Sequence, residues 1–254
     1  MNALHLRDEG EGEPLVLLHG LGSQSRAFDP LFALRGARRL LAVDLPRTAR
    51  SGRWAASTPV AIATALLEAL TAREVQRCSV FGHSFGGLVA MELAARAPER
   101  VTALTVAAAP AFGLPRPLRA LLTTPWADAA FGAFGRLTPA RGLVRAYLRV
   151  IWGSATPGPD LLDAYEEVLR TPGFSEGMLE AVRAIADWKI PAAALASSPG
   201  PRAVICGEVD PLVSTVEGER LATAIGASLT VLDDVGHAVP EEAPRQLAAL
   251  LFGA

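Results

Sequence analysis

Residues 80–88 read VFGHSFGGL, and this stretch decides the fold. Gly82, Ser84 and Gly86 form the pattern Gly-x-Ser-x-Gly, with a strand pattern before it and a helix pattern after it. If the chain turns tightly from strand to helix here, a side chain at either glycine would collide with neighbouring backbone. Such a turn holds its serine in a strained backbone conformation and exposes the hydroxyl at the edge of the sheet. We therefore predict that Ser84 is a nucleophile.

The chain on both sides of this turn alternates between strand and helix patterns. In the first half, short apolar runs and amphipathic segments predict strands at 14–18, 40–43, 78–81 and 101–106, and helices at 58–73 and 86–97. The alternation returns with strands at 202–206 and 229–232, a helix opened by a capping box at Ser214 and Glu217, and a closing helix at 240–252. This order predicts an α/β fold with a mostly parallel, doubly wound sheet and helices on both sides.

The segment between these two halves has a different pattern. From residue 111 to 200, one helical pattern follows another, interrupted by prolines, and no convincing strand is found. This segment is too long for an ordinary loop. We predict a helical cap over 111–200, inserted into an α/β core formed by 1–110 and 201–254.

Composition and charge exclude several other classes of protein. The chain has 254 residues, and its 24 Lys and Arg against 26 Asp and Glu give no general attraction to nucleic acid. Its longest stretch without charged residues, 101–115, is shorter than the about 20 apolar residues that span a membrane, and no secretion signal is visible, so we expect a cytoplasmic protein. Two cysteines cannot form a disulfide framework, and no Cys-x-x-Cys or His-Glu-x-x-His motif predicts a metal site.

A serine nucleophile needs a general base and a group that orients this base. His237 follows the last predicted strand, and Asp210 follows the strand before it. Because reactive groups gather beyond the carboxyl ends of parallel strands, we expect both side chains near Ser84. Asp233 and Asp234 are alternative acids, but their closeness to the histidine in sequence favours a role within its loop. The order serine, acid, histidine is that of α/β-hydrolases.

Five short segments carry a wider resemblance, which covers essentially the whole chain. They read HGLG at 19–22, DLP at 44–46, GHSFGG at 82–87, GEVDPLV at 207–213 and GH at 236–237. Together they resemble the α/β-hydrolase superfamily, in its esterase-type branch with a helical cap.

The resemblance implies a role for each site residue. Ser84 would be the nucleophile, His237 the general base and then the general acid, and Asp210 the carboxylate that holds the imidazole. The backbone N–H groups of Leu21 and Phe85 would form the oxyanion hole. No cofactor is expected.

Two further features of the resemblance concern loops beside the site. His19 and Asp44 are expected to stabilise loops rather than to react. Family members usually follow the Asp-Leu-Pro segment with a glycine, an aromatic residue or histidine, and another glycine. Here residues 47–51 read RTARS, so both glycines are absent and we expect this loop to take another path.

The expected function is that of a serine hydrolase that cleaves a carboxylic ester or thioester through an acyl-enzyme on Ser84. Hydrolysis of a lactone or a carbon–carbon bond by the same three residues stays open, as does a non-catalytic ligand-binding protein on a hydrolase fold. The substrate is expected to be a small molecule with apolar groups of modest size. Candidate residues to line its pocket are Trp126, Tyr147, Trp152 and Val213.

Three arginines in the predicted cap, Arg141, Arg145 and Arg149, recur at helical spacing and share one face. A charged stripe of this kind is usually a solvated surface. The alternative is a docking strip for an anionic partner, such as an acyl carrier protein or a coenzyme A thioester.

Overall fold

The protein is described by a computed structural model that covers residues 4–51, 57–113, 116–122, 124, 126–129, 133, 144–145, 148–149, 151–153 and 157–253. These residues contain a seven-stranded sheet with the order β1-β3-β2-β4-β5-β6-β7. In chain order its strands are β1 (His5–Glu9), β2 (Pro14–Leu18), β3 (Arg39–Asp44), β4 (Cys78–His83), β5 (Val101–Ala107), β6 (Arg202–Gly207) and β7 (Ser228–Leu232).

The sheet is parallel from β3 to β7, and only the edge strand β1 runs antiparallel, pairing with β3. The prediction of a mostly parallel sheet is therefore confirmed. Strand β1 was not predicted, because its sequence HLRDE contains one aliphatic residue among charged and polar ones. A short, charged strand of this kind is typical of a sheet edge.

Helices cover both faces of the sheet, as predicted. One face carries α2 (Pro59–Thr71), α3 (Phe85–Arg96), α6 (Phe174–Asp187), α7 (Ala192–Ala196) and α8 (Thr215–Ile225). The other carries a 3₁₀ turn (Ser25–Phe28), α1 (Asp29–Leu34), α9 (Val239–Glu242) and α10 (Pro244–Phe252). Along β2, Val16 and Leu18 pack into the first core, whereas Leu15 and Leu17 pack into the second. Burial on both faces explains why the strands read as continuous apolar runs.

The closing helix differs from its prediction. A single helix was predicted over 240–252, but α9 ends at Glu242 and α10 begins at Pro244. Proline has no N–H to donate, and it disfavours helical dihedrals in the residue before it. Ala243 accordingly has φ −127° and ψ 47°, which breaks the helix in two. The predicted capping box is confirmed, since Ser214 Oγ accepts the N–H of Glu217 at 3.3 Å.

We call the chain between β5 and β6 the insertion. Its described helices include α4 (Arg116–Leu122), α5 (Pro159–Leu169) and the two already named, α6 and α7. One small core within it joins Val144, Leu148, Ile151, Trp152, Leu162 and Tyr165 to Ala238, which lies outside the insertion. The division into a cap at 111–200 and a core stays a prediction. None of the helices in the described ranges is long and apolar enough to cross a membrane.

Candidate active site

Ser84 lies at a sharp turn between β4 and α3. Its φ of 52° and ψ of −120° are outside the regions that side chains ordinarily favour. The two glycines around it are required by packing. A Cβ on Gly82 would lie 2.7 Å from the backbone of Gly87, and one on Gly86 would lie 2.6 Å from the carbonyl oxygen of His19. The turn can therefore form only with glycine at both positions.

Asp210 and His237 come from the loops after β6 and β7, and the fold brings both to Ser84. The Nδ1 atom of His237 lies 2.9 Å from Asp210 Oδ2, and its Nε2 atom lies 3.0 Å from Ser84 Oγ. The Asp210 side chain is fully buried, and its Oδ1 accepts the N–H groups of Leu212 at 2.7 Å and Val213 at 3.0 Å. These two bonds fix the carboxylate, so that Oδ2 faces the imidazole.

The hydrogen-bond pattern assigns the protonation of the imidazole. A carboxylate can only accept hydrogen bonds. The Nδ1 atom of His237 therefore carries the proton and donates a hydrogen bond to Asp210 Oδ2. The other ring nitrogen, Nε2, is then free to accept the hydroxyl proton of Ser84. This is the tautomer that a general base for the serine requires.

The backbone of His237 is also held on both sides. Its N–H donates to the carbonyl oxygen of Ile151 at 2.6 Å, and its carbonyl oxygen accepts from His83 Nε2 at 2.7 Å. Burial, and then the neighbouring imidazole of His237, lower the pKa of His83 to about 3. His83 is therefore neutral and donates through Nε2–H. The sequence carries no signal for this contact, which joins residues 154 positions apart.

The N–H groups of Leu21 and Phe85 lie on two chain segments that meet beside the serine. Phe85 is the first residue of α3, and Leu21 lies in the loop after β2. This loop packs closely against the turn at Ser84, since a Cβ atom added to Gly20 would lie 3.0 Å from Ser84 Cβ. Within the described part of the chain, neither N–H donates a hydrogen bond. Both donors are free for an oxygen atom bound near Ser84.

His19 and Asp44 stabilise these loops, as predicted. His19 is buried, which lowers its pKa. Its Nδ1–H donates to the Gly20 carbonyl at 2.8 Å, and its Nε2 accepts the N–H of Leu45 at 3.0 Å. Asp44 Oδ1 accepts the N–H of Ser25 at 2.8 Å. The two side chains thus connect the loop after β2 to the loop after β3.

The loop at 47–51 has an unexpected backbone. Arg47 and Ala49 stand where family members usually have glycine, and their φ angles are 61° and 40°. Both residues therefore adopt the left-handed conformation that glycine favours, although glycine is absent. The side chain of Arg47 packs against Gly177 and approaches Glu180 Oε2 at 3.4 Å. Arg47 thereby connects this loop to α6 of the insertion.

A small cavity lies beside the two free N–H groups. Its volume is about 20 Å³, enough for about one water molecule. Leu21 and Phe85 line it on the core side, and Phe174 and Met178 line it from α6. A group larger than a water molecule could enter this cavity only by displacing side chains that line it, such as Phe174 and Met178.

Three of the four residues predicted to line the substrate pocket, Trp126, Trp152 and Val213, are among the described residues. Trp126 is 80% exposed on the insertion, and Trp152 packs in the small core of the insertion. Val213 is buried and donates its N–H to Asp210. Tyr147 lies outside the described residues. None of the three described residues lines the cavity beside Phe85.

Arg145 and Arg149 are exposed on a helical segment of the insertion, as both interpretations of the arginine stripe require. Arg141, the third member, lies outside the described residues.

Across the ranges that the structure covers, no group of three or more His, Cys, Asp or Glu side chains is arranged to hold a metal ion.

Comparison with known proteins assigns the family. Residues 15–250 match the sequence profile of the "Alpha/beta hydrolase family". Over 120 residues the chain is 37% identical to a pimeloyl-[acyl-carrier protein] methyl ester esterase of Vibrio campbellii, covering 46% of each protein. The chain thus spans less than half the length of the first curated relatives that it matches. Over 263 residues it is 28% identical to a 2-hydroxymuconate semialdehyde hydrolase of Pseudomonas putida, covering 97% of this chain and 88% of that protein.

Among solved structures, a thermophilic esterase from Thermogutta terrifontis superposes with a TM-score of 0.83 at 21% identity, covering 98% of this chain and 92% of that one. An identity this low shows the fold alone. The family profile, however, extends from β2 into α10 and so includes every strand except β1. The chain therefore belongs to the alpha/beta hydrolase family.

Proposed function

We propose that the protein is a serine hydrolase that cleaves a carboxylic ester or thioester through an acyl-enzyme on Ser84. The observation that carries this proposal is the continuous chain of contacts from Ser84 Oγ through His237 to Asp210, at 3.0 and 2.9 Å. Two free N–H groups beside the serine supply the other element that acyl transfer needs. A protein that only binds a ligand needs neither the contacts from Ser84 through His237 to Asp210 nor the two free N–H groups.

The reaction follows from this geometry. Ser84 Oγ attacks the carbonyl carbon while His237 Nε2 takes the hydroxyl proton. The carbonyl oxygen becomes an oxyanion and accepts from the N–H groups of Leu21 and Phe85, each donor contributing about 3 kcal/mol to the transition state. His237 then gives its proton to the departing alcohol or thiol, which leaves an ester bond to Ser84. A water molecule deprotonated by His237 attacks this ester, and the acid is released as Ser84 recovers its proton.

We expect the acyl group to enter the small cavity beside Phe85, so that a short acyl group is the preferred substrate. A panel of p-nitrophenyl esters of increasing acyl length tests this, with acyl thioesters, lactones and activated carbon–carbon substrates assayed beside it. We expect the highest kcat/KM for short esters, and no turnover by Ser84→Ala. Turnover only of a lactone or a carbon–carbon substrate would favour the alternative reactions of the same three residues. The absence of any turnover would favour a ligand-binding protein.

A substrate carried by an acyl carrier protein is a narrower form of this proposal. It is supported by the exposed Arg145 and Arg149 and by the similarity to the Vibrio campbellii esterase, whose substrate is a pimeloyl-[acyl-carrier protein] methyl ester. We expect the double variant Arg145→Ala/Arg149→Ala to have a several-fold higher KM for a carrier-linked ester and an unchanged KM for a small ester. Salt should raise the first KM in the same way, because it screens exposed charges. A KM for the carrier-linked ester that neither salt nor the variant changes would exclude the docking strip.

A further inference from the structure

The carboxylate of Glu242 binds the backbone on both sides of His237. Its Oε2 accepts the N–H of Gly236 at 3.1 Å, and its Oε1 accepts the N–H of Ala238 at 3.0 Å. Oε2 also accepts the N–H of Gly153, from the insertion, at 2.6 Å. One side chain therefore holds the residues that flank the imidazole and joins them to a segment far away in sequence.

The two backbone segments that Glu242 joins are in direct contact. A Cβ on Gly236 would lie 2.6 Å from the Trp152 carbonyl carbon and 2.7 Å from the Ile151 carbonyl oxygen. The N–H of His237 donates to that same oxygen. Because both contacting positions, 153 and 236, are glycine, the segments approach more closely than side chains would allow. A shift of one segment therefore moves the other.

Capping of the short helix α9 does not account for these contacts. Ala238 is the N-cap residue of α9, so its bond to Glu242 has the form of a helix cap. The bonds from Gly236 and Gly153 lie outside this helix, and they add nothing to its capping. Bonds to an ionised acceptor are also stronger than those between neutral groups.

We propose that Glu242 is a positioning residue for His237. By holding the backbone at 236 and 238 against the insertion, it keeps the imidazole within reach of Ser84 Oγ and Asp210. This inference rests on the proposed function, since the imidazole must be placed to act as a base. Misplacement of a reacting group by about 1 Å can cost about 100-fold in rate.

Glu241 provides a matched control at the neighbouring position. Its side chain also reaches the insertion, where Oε1 accepts the Tyr165 hydroxyl at 3.0 Å. In the described part of the chain, no hydrogen bond joins the Glu241 side chain to residues 236–238. Replacing Glu241 by Ala therefore removes a carboxyl group of α9 and its hydrogen bond to the insertion, but it leaves the hydrogen bonds to residues 236–238 in place.

The experiment compares the Ala and Gln variants at both positions. We measure kcat and KM on a short p-nitrophenyl ester and the rate of labelling by a fluorophosphonate, below the melting temperature of every variant. We expect Glu242→Ala to lower kcat and the labelling rate about 100-fold, with KM within about threefold of the native value. Glu242→Gln should be intermediate, because its one amide oxygen can still accept from Gly153 and Gly236. Glu241→Ala and Glu241→Gln should stay within about threefold of the native protein in both rates.

Each outcome decides the proposal. If Glu242→Ala reacts at the rate of Glu241→Ala, the positioning role is wrong while the serine chemistry stands. If Glu242→Ala does not fold, Glu242→Gln decides by the same comparison with Glu241→Gln. A native protein that is neither labelled nor active overturns the proposed function and, with it, this inference.

Discussion

Replacing Glu241 by Gln should make the protein less sensitive to rising pH. The Oε2 atom of Glu241 is buried without a hydrogen-bond partner in the described part of the chain. Burial raises the pKa of this carboxyl from its ordinary value of 4.5 to about 8, although the hydrogen bond from Tyr165 lowers it somewhat. The folded protein therefore holds a proton at Glu241 at neutral pH, whereas the unfolded chain releases it.

The sign and size of the effect follow from this difference. Below pH 4.5 both states are protonated, and the stability that the proton provides is fully present. As pH rises from there to about 8, unfolding releases a proton and the free energy of unfolding falls by about 1.4 kcal/mol per pH unit. Between pH 6 and 8 the native protein should lose about 2 kcal/mol through this group. Glu241→Gln keeps an oxygen for the Tyr165 hydroxyl and has no proton to lose.

Urea unfolding at pH 6, 7 and 8 measures this directly for both proteins. We expect the free energy of unfolding of Glu241→Gln to rise relative to the native protein by about 2 kcal/mol across the series. Parallel pH dependences of the two proteins would refute the reasoning, because they would show that Glu241 is already ionised in the folded state at pH 6.

Three further predictions concern the site and the loops around it. Asp210→Asn should lower kcat by roughly 10³- to 10⁴-fold in a steady-state ester assay, because the amide no longer holds His237 in the tautomer that accepts from serine; a loss below tenfold would contradict this. Ala49→Gly should raise the free energy of urea unfolding by about 1 kcal/mol, because alanine is strained at φ 40°; a destabilised variant would show that this conformation carries no strain. Met178→Ala should enlarge the cavity beside Phe85. We therefore expect the ratio of kcat/KM for a six-carbon acyl ester to kcat/KM for a two-carbon acyl ester to rise about tenfold. An unchanged ratio would show that the acyl group binds elsewhere.

Local patterns predicted most of the fold. The turn around Ser84 could be identified because its glycine spacing reflects contacts within a few residues, and the buried strands could be identified because both faces of the sheet are covered. Strand β1 has no such pattern. It is held in the sheet by backbone hydrogen bonds to β3, and these do not depend on its side chains. The break before Pro244 could have been predicted from the proline itself.

The contacts that surround the three site residues could not be predicted from the sequence. His83 meets the carbonyl of His237 across 154 positions, and Glu242 meets Gly153 across 89. The first contact depends on how the loop after β7 meets the end of β4, and the second depends on how the insertion folds back on the core. No local pattern encodes either arrangement. The same reason explains why Trp126, a large aromatic residue expected near the substrate, lies on the surface.

The most direct test of the central claim is to map the site of covalent modification by a fluorophosphonate. The native protein is treated with the reagent and digested, and its peptides are analysed by mass spectrometry. We predict a single adduct on Ser84, which disappears in Ser84→Ala and forms far more slowly in His237→Ala. An unmodified native protein, or an adduct on another residue that persists in Ser84→Ala, would contradict the account.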